Sequence, residues 1–488
     1  MRRKWQEGIE ETDFLVYNWA EIQKKVGKRT HMEHQVQENK MGVLPVNRLL
    51  ISMALPIIIS MLVQAFYNIV DSYFVAKLGE SALTAVSLAF PIQTVMIAVG
   101  TGTGVGMNAM LSKSLGEKDQ ATADRAACNG VFLALCSAAV FMLVGVFCIY
   151  PFYASQVADY PDIMEYGVEY LTVACLFCQG IYVELVFERI LQATGHTVAS
   201  MVTQLAGAVT NIILDPCFIF GIGPFPRMGV TGAAVATVIG QFVAAIVAVI
   251  VNQAFNKEIH VRFKACFRPS RPTIRRIYSV GIPSIIMGSI GSVMYYGMNQ
   301  ILLGFTATAS AVFGVYFKLQ SFFFMPVFGM NNATVPIIAY NYGAQKRGRM
   351  LQTTRLAAVY CAGIMLLGLA VMNLFPVQLL GIFDASEQML TIGVPALRII
   401  SLSLVFAGVC IALGSVFQAL GNGVYSMIVS LTRQMLVLLP VAWLLARTGN
   451  LNAVWWAVPI AEVASLLATL FFFVRINRKV ISKVGDVA

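Results

Sequence analysis

Charge is scarce in this chain of 488 residues: Asp, Glu, Lys and Arg make up 12%, whereas hydrophobic residues make up 58%. Soluble domains carry about 25% charged residues, so this composition excludes a soluble protein. The mean hydropathy of +0.74 instead indicates an integral membrane protein. A helix needs about 20 apolar residues to cross the hydrocarbon core of a bilayer. Windows of that length predict twelve helices, numbered 1 to 12 in chain order: 49–75, 83–112, 126–150, 167–187, 198–221, 230–254, 276–303, 308–339, 353–375, 390–414, 424–446 and 452–475.

Residues that metal and nucleotide chemistry need are also few. The four histidines all lie in polar segments, which argues against a histidine relay or metal centre inside the membrane. Cys175 and Cys178 have the spacing of a zinc-ligand pair but lack a second pair, so buried packing is the simpler interpretation. The run Gly100–Gly106 lacks the Gly-Lys-Ser/Thr ending of a phosphate-binding loop. Its small residues instead favour close helix packing.

The net charge of +10 reflects topology rather than nucleic-acid binding. If the N-terminus is cytoplasmic, the inside segments contain 28 of the 34 Lys and Arg residues, and the outside loops contain three. Such a bias is the positive-inside signal of membrane proteins. It predicts a multi-pass protein of the plasma membrane with both termini in the cytoplasm and no nucleic-acid partner.

The two halves of the chain repeat each other. Leu55–Ile59 matches Ile282–Ile286 at a shift of 227 residues, and Gln192–Gly195 matches Gln418–Gly421 at a shift of 226. Each half contains six predicted helices, so both halves enter the membrane in the same direction. Parallel repeats of this kind are related by an axis along the membrane normal. The predicted fold is an all-α integral membrane protein with twelve transmembrane helices in two six-helix lobes related by a pseudo-two-fold along that normal.

The repeat and the polar segments divide the chain into five parts. The first is either a polar cytoplasmic extension, with a surface helix near 14–26, or a misassigned start, because it lacks the apolar core of a signal peptide. The predicted parts are the N-terminal segment 1–43, the N-lobe 44–255, the basic cytoplasmic linker 256–275, the C-lobe 276–476 and the cytoplasmic tail 477–488.

Two aspartates lie inside apolar segments: Asp71 in helix 1 and Asp215 in helix 5. A carboxylate at the centre of a membrane helix costs about 2.5–3.5 kcal/mol on insertion scales. Their counterparts in the second half are Met298 and Val441, so packing alone does not require the acids. Both aspartates lie at similar depths, and two nearby carboxylates in a low dielectric cannot both remain ionised without a cation. With Asn211 one helical turn before Asp215, they predict a site for H⁺ or Na⁺ in the N-lobe.

Other polar residues in the hydrophobic segments are candidates for cavity lining or gating. Glu188 and Arg189 have an alternative interpretation as interfacial residues at the end of helix 4. Arg433 and Glu462 are candidates for a structural ion pair in the C-lobe. The cavity or gating candidates are Gln64, Asn68, Glu184, Glu188, Tyr295, Lys318 and Gln320.

The sequence resembles the multidrug and toxic compound extrusion (MATE) transporters over about 44–475. The resemblance rests on Val70–Gly79, on Gln192–Gly195, on the segment from Asn211 to Pro216, and on Gly232–Thr237. It implies export of small amphipathic or cationic compounds in exchange for Na⁺ or H⁺, by alternating access. It also implies that Asp71, Asn211, Asp215 and Thr237 bind the coupling ion.

A second branch of the family carries acids in helices 7 and 10. Helix 7 has none here, and helix 10 has only Arg398 as a charged residue. Coupling is therefore expected in the N-lobe alone, with no cofactor, no structural metal and no catalytic residue. The protein is expected to act as a monomer in the bilayer.

Two other functions stay open from the sequence. A flippase for lipid-linked oligosaccharides has a related fold, but it would need more cations to hold a pyrophosphate than Lys318, Arg398 and Arg433 supply. An intramembrane aspartyl enzyme would use Asp71 and Asp215 as a dyad. A duplicated fold would normally supply one Asp from each half, whereas both lie in the first half here.

Overall fold

The structure is a computed structural model, and it describes residues 39–157, 159–383 and 385–485. The surface helix predicted near 14–26 lies outside the described residues. The alternative of a misassigned start concerns the same part of the chain, and it stays a prediction.

Every regular element in the described residues is helical. Ten continuous helices are long and apolar enough to cross a membrane, and two bent helix pairs bring the number to twelve if each pair is one span. The predicted all-α membrane fold is therefore confirmed. The spans are α1 (Val46–Ala76), α2 (Glu80–Gly116), α3 (Gln120–Phe147), α4 (Pro161–Leu176 and Gln179–Ala193), α5 (Thr197–Phe220), α6 (Gly229–Phe255), α7 (Arg271–Leu303), α8 (Ala307–Gly343), α9 (Arg347–Leu374), α10 (Glu387–Ser401 and Leu404–Ala419), α11 (Gly423–Ala446) and α12 (Leu451–Lys483).

The helix bounds reproduce the internal repeat. Helices α2 and α8 begin and end 227 residues apart, as do α3 and α9. Helices α5 and α11 begin and end 226 residues apart. The single-residue change in shift falls between α3 and α4, and between α9 and α10, where the short helices Ile149–Val157 and Pro376–Gly381 lie. Two copies of one six-helix unit thus form the two lobes.

The two bent spans are also equivalent in the repeat. Helix α4 bends by 47° at residues 177–178, and α10 bends by 42° at residues 402–403. The α4 bend contains Cys178, whose buried thiol donates to the carbonyl of Ala138 at 3.5 Å. The described residues contain no cluster of three or more His, Cys, Asp or Glu side chains suited to a metal. Cys175 and Cys178 are both fully buried, so both side chains belong to the packed interior of the N-lobe.

Glycines bring the two lobes into backbone contact. A Cβ on Gly116 of α2 would lie 2.0 Å from the carbonyl oxygen of Tyr340, and a Cβ on Gly343 of α8 would lie 2.1 Å from that of Lys113. These two contacts are equivalent in the repeat, because both residue pairs are related by the shift of 227. Gly102 packs in the same way on Ile285 of α7. The run Gly100–Gly106 thus serves close packing, as the sequence predicts.

Helices α1 and α7 each pack partly on the opposite lobe. Leu49, Met53 and Ile57 of α1 belong to the buried cluster of the C-lobe. In return, Ile277 of α7 belongs to a cluster built mainly from α2, α3 and α4. The contacts involve the α1 and α7 segments nearest their N-terminal ends, so the lobes are joined at the side of the membrane that the charge pattern predicts to be cytoplasmic.

Candidate functional site

The structure brings the predicted polar residues of α5 and α6 together. Asn211 Nδ2 donates to Asp215 Oδ1 and to Thr237 Oγ1, both at 3.2 Å. Asn211 and Asp215 are 3% and 0% exposed. The one-turn spacing on α5 explains the first hydrogen bond. The second arises because α5 and α6 pack closely where Gly240 of α6 faces Asn211.

Asp71 of α1 joins this group. It lies within electrostatic range of Asp215, as expected from their similar depths. Asp71 Oδ1, Asn211 Oδ1 and Asp215 Oδ2 are all buried and have no hydrogen-bond partner among the described residues. Buried acceptors are normally satisfied, so three unsatisfied oxygens in one polar cluster suit a bound cation or a proton. We call Asp71, Asn211, Asp215 and Thr237 the acidic cluster.

Two tyrosines that the sequence did not single out border the acidic cluster. Tyr67 of α1 and Tyr170 of α4 both lie within electrostatic range of Asp71 and Asp215. Tyr170 Oη accepts from Gln93 Nε2 at 3.3 Å. Tyr67 could have been found from the sequence, since it lies one turn before Asp71 on the same helical face. Tyr170 carries no such local signal.

A cavity of about 270 Å³ adjoins the acidic cluster, and we call it the N-lobe cavity. Asn211 and Thr237 line it, so these two side chains belong both to the cluster and to the cavity wall. Its charged lining residues are Glu184, Glu188 and Arg189. The candidates Gln64, Glu184 and Glu188 line this cavity, and their part in transport stays a prediction.

Glu188 and Arg189 are buried within the helices, at 7% and 8% exposure, and their depth in the membrane stays a prediction. Glu188 accepts from Gln192 and Ser200 through Oε1 and from Gln204 through Oε2, at 2.8, 3.3 and 3.0 Å. This network satisfies a carboxylate away from water and fixes the wall of the N-lobe cavity.

A second cavity of about 340 Å³ lies largely between helices of the C-lobe, and we call it the C-lobe cavity. Its charged lining residues are Arg189 and Arg433. Arg433 Nη1 donates to Glu462 Oε1 at 3.1 Å, which is the ion pair proposed from the sequence. The two cavities share Met61, Thr101, Arg189 and Asn332 as lining residues, so they adjoin each other.

Four candidates line neither cavity. Asn68 is exposed. Tyr295 stacks on Phe313, with ring centroids 5.6 Å apart. Lys318 is exposed, and its Nζ lies 5.9 Å from the ring centroid of Phe383. Gln320 is half-buried on the same helix. Helical position alone did not reveal which way these side chains point.

Two pseudo-symmetric six-helix lobes with adjoining cavities, each lined by apolar surface and a few charged side chains, define a membrane transporter. The MatE family model matches residues 56–217 and 283–444, once in each lobe. The chain therefore belongs to the MatE family, and the resemblance to MATE transporters is confirmed.

Known proteins agree with this assignment. The chain is 27% identical over 435 residues to the multidrug export protein MepA of Staphylococcus haemolyticus, covering 88% of this chain and 94% of MepA. A multidrug resistance MATE family transporter of the MOP superfamily, solved in an outward-facing conformation, matches with a TM-score of 0.85 at 24% identity. That match covers 92% of this chain and all of the other. A MOP superfamily transporter of Pyrococcus furiosus, reported to have a binding pocket of reverse polarity, matches with a TM-score of 0.84. It is 25% identical, again over 92% of this chain and all of the other.

Proposed function

We propose that the protein is a secondary-active multidrug exporter of the plasma membrane that exchanges amphipathic organic cations for Na⁺ or H⁺. The observation that carries this is the acidic cluster at the end of the N-lobe cavity. Three buried acceptor oxygens without partners need a cation or a proton, because an uncompensated carboxylate in a low dielectric is costly.

Shared wall residues give a physical basis for exchange. Asn211 and Thr237 face the N-lobe cavity and also belong to the hydrogen-bonded cluster with Asp215. An ion or proton arriving at Asp71 and Asp215 changes the charge next to the cavity, and so weakens the binding of a cationic substrate there. A substrate and a coupling ion then compete for the same negative charge, which is the thermodynamic requirement for antiport.

Alternating access is the movement we propose for the two lobes. The lobes meet through α1, α2, α7 and α8 on the side predicted to be cytoplasmic, where Gly116 and Gly343 allow backbone contact. Rocking about this contact would expose the cavities to each side of the membrane in turn. We place both termini in the cytoplasm from the charge bias, and we propose that one chain suffices, since each chain contains both lobes.

The test is transport by the purified protein in proteoliposomes, with a fluorescent lipophilic cation as substrate. Separate Na⁺ and H⁺ gradients are imposed, each with a matching ionophore to collapse it. We expect transport that follows one gradient and stops when that gradient is collapsed. Transport that ignores both gradients would contradict the antiport proposal.

A further inference from the structure

The two cavities differ in the charged groups that line them. Glu184 and Glu188 line the N-lobe cavity, and no carboxylate lines the C-lobe cavity, whose charged lining residues are Arg189 and Arg433. Arg189 borders both, so it separates the carboxylates of one cavity from Arg433 of the other. Drug-sized ligands generally occupy cavities of about 300–1,000 Å³. Volumes of about 270 and 340 Å³ therefore suggest that one such molecule spans both.

Arg433 has donors to spare for a ligand. A guanidinium has five N–H donors, and the hydrogen bond that the described residues show for Arg433 is the one from Nη1 to Glu462. Glu462 does not line the cavity, so it supports the guanidinium from behind. Such a carboxylate orients the Arg and leaves the rest of its planar fork free to bind an anionic group.

Buried polar atoms without partners also mark this cavity. Arg189 Nε and Gln418 Oε1 are buried and unpartnered among the described residues, and both side chains, 8% and 6% exposed, line the C-lobe cavity. Burying such groups without compensation is unfavourable, so they are expected to meet a ligand or water there.

The helix that carries Arg433 has an unusual local structure. Residues Thr432–Leu438 of α11 form a π-helix, a rare element that occurs frequently at functional sites. The equivalent helix α5 is a continuous α-helix, and the shift of 226 between α5 and α11 places Gly207 where the C-lobe has Arg433. The pair and the π-helix are therefore specific to the C-lobe and are not inherited from the common six-helix unit.

We propose that the C-lobe cavity binds an anionic group of the substrate, with Arg433 as the residue that selects it. On this view the preferred substrates are zwitterionic amphiphiles: their cationic group faces Glu184 in the N-lobe cavity, and their carboxylate meets Arg433. This rests on the proposed function, because it specifies the class of compound that the exporter binds.

The test compares two probes that differ in one group: a rhodamine methyl ester, which is a cation, and the corresponding free-acid rhodamine, which is a zwitterion. Binding of each to the purified protein is measured by fluorescence anisotropy.

Arg433→Gln combined with Glu462→Gln removes the guanidinium without leaving a buried unpaired carboxylate. Glu462→Gln alone keeps the guanidinium. Arg447→Gln is the matched control, since Arg447 lies against Trp443, 3.7 Å from its ring centroid, away from both cavities.

We expect the double variant to lose at least about tenfold in affinity for the acid, with the affinity for the ester within about twofold of wild type. Arg447→Gln should keep both affinities. Glu462→Gln keeps the guanidinium but removes the carboxylate that orients it, so it should lose less affinity for the acid than the double variant does. The proposal would be overturned if the double variant bound both probes as tightly as wild type does, or if it lost the same affinity for both. Because binding is measured without a gradient, these results are independent of the transport assay. Failure of gradient-driven transport alone would instead contradict the proposed antiport.

Discussion

Asn211 bonds directly to Asp215, with 3.2 Å between Nδ2 and Oδ1, and the same nitrogen lies 3.2 Å from Thr237 Oγ1. One amide thus connects the buried carboxylate of α5 to α6 while its own Oδ1 stays unpartnered among the described residues. Asn211 Oδ1 and the unpartnered oxygens Asp71 Oδ1 and Asp215 Oδ2 then remain available to a coupling ion.

Replacing Asn211 with Leu should uncouple the site without removing either aspartate. Leu keeps the size of the side chain but removes the donor to Asp215 and one of the acceptor oxygens. We expect export to fall at least about tenfold, because losing a hydrogen bond to a charged group costs about 1.5–3 kcal/mol. Export of a fluorescent cation by energised cells measures this. Export at the wild-type rate by Asn211→Leu would show that the amide is not part of the ion site.

The pair of Arg433 and Glu462 should behave as a buried ion pair in stability measurements. Their side chains are 21% and 8% exposed. Breaking a buried pair by removing one partner costs about 3–5 kcal/mol, whereas removing both charges is far milder. We therefore expect Arg433→Gln to lower the thermal unfolding midpoint in detergent, and the addition of Glu462→Gln to restore most of it. A single variant as stable as wild type would mean that the pair contributes little.

The contact of Gly116 with α8 should tolerate no side chain. A Cβ there would lie 2.0 Å from the Tyr340 carbonyl oxygen, so Gly116→Val must separate the lobes. The measurement is disulfide formation between cysteines introduced at positions 117 and 344, which flank this contact. We expect Gly116→Val to reduce crosslinking by at least about threefold, since a backbone clash cannot be relieved by a rotamer change.

Gly363→Val on α9 is the control for that experiment, because nothing lies within 4 Å of a Cβ at Gly363. It should crosslink as well as the protein with Gly at both positions. Unchanged crosslinking in Gly116→Val would show that the lobes do not close in this way.

Asp119 should make the stability of the N-lobe depend on acid pH. It caps α3, where its Oδ1 accepts from the Thr122 backbone N–H at 3.0 Å, and the hydrogen bonds from Thr122 lower the pKa of Asp119. A carboxyl whose pKa is lowered by folding stabilises the fold above its unfolded pKa, about 3.9. That contribution is lost as the pH falls through the folded value.

We therefore expect Asp119→Ala to lower the thermal midpoint at neutral pH, and the difference from wild type to shrink as the pH drops below about 4. Asp119→Asn is the matched control, because Asn also caps helices but does not titrate in this range. A difference between wild type and Asp119→Ala that is independent of pH would contradict this.

The sequence predicted most of the fold. Apolar windows locate twelve spans, and the shifts of 227 and 226 predict the repeat that the helix bounds show. The bends at residues 177–178 and 402–403 were not predicted, because a break inside an apolar run leaves hydropathy unchanged. The windows also end before the helices do at Gly116 and Gly343, since helix continues beyond the apolar stretch.

The site was predicted in part. Asp71 and Asp215 stand out because charge inside an apolar segment is costly, and Asn211 follows from one-turn spacing. Tyr170 and the α5 partners of Glu188, Ser200 and Gln204, could not be found in this way, because their proximity depends on how α4 packs against α1 and α5. Lys318 shows the limit of the same signal: a charge in an apolar window drew attention, but the window did not reveal that the side chain is exposed and lies near Phe383.

Gradient-driven export by Asp71→Asn in proteoliposomes tests the central claim most directly. The matched control is Asp162→Asn, which makes the same chemical change at an exposed residue at the start of α4. Asn cannot carry a negative charge or exchange a proton, so we predict that Asp71→Asn folds and reconstitutes normally but loses transport driven by either gradient. Asp162→Asn should transport like wild type. Wild-type, gradient-dependent export by Asp71→Asn would contradict the account, because the coupling ion would then bind elsewhere.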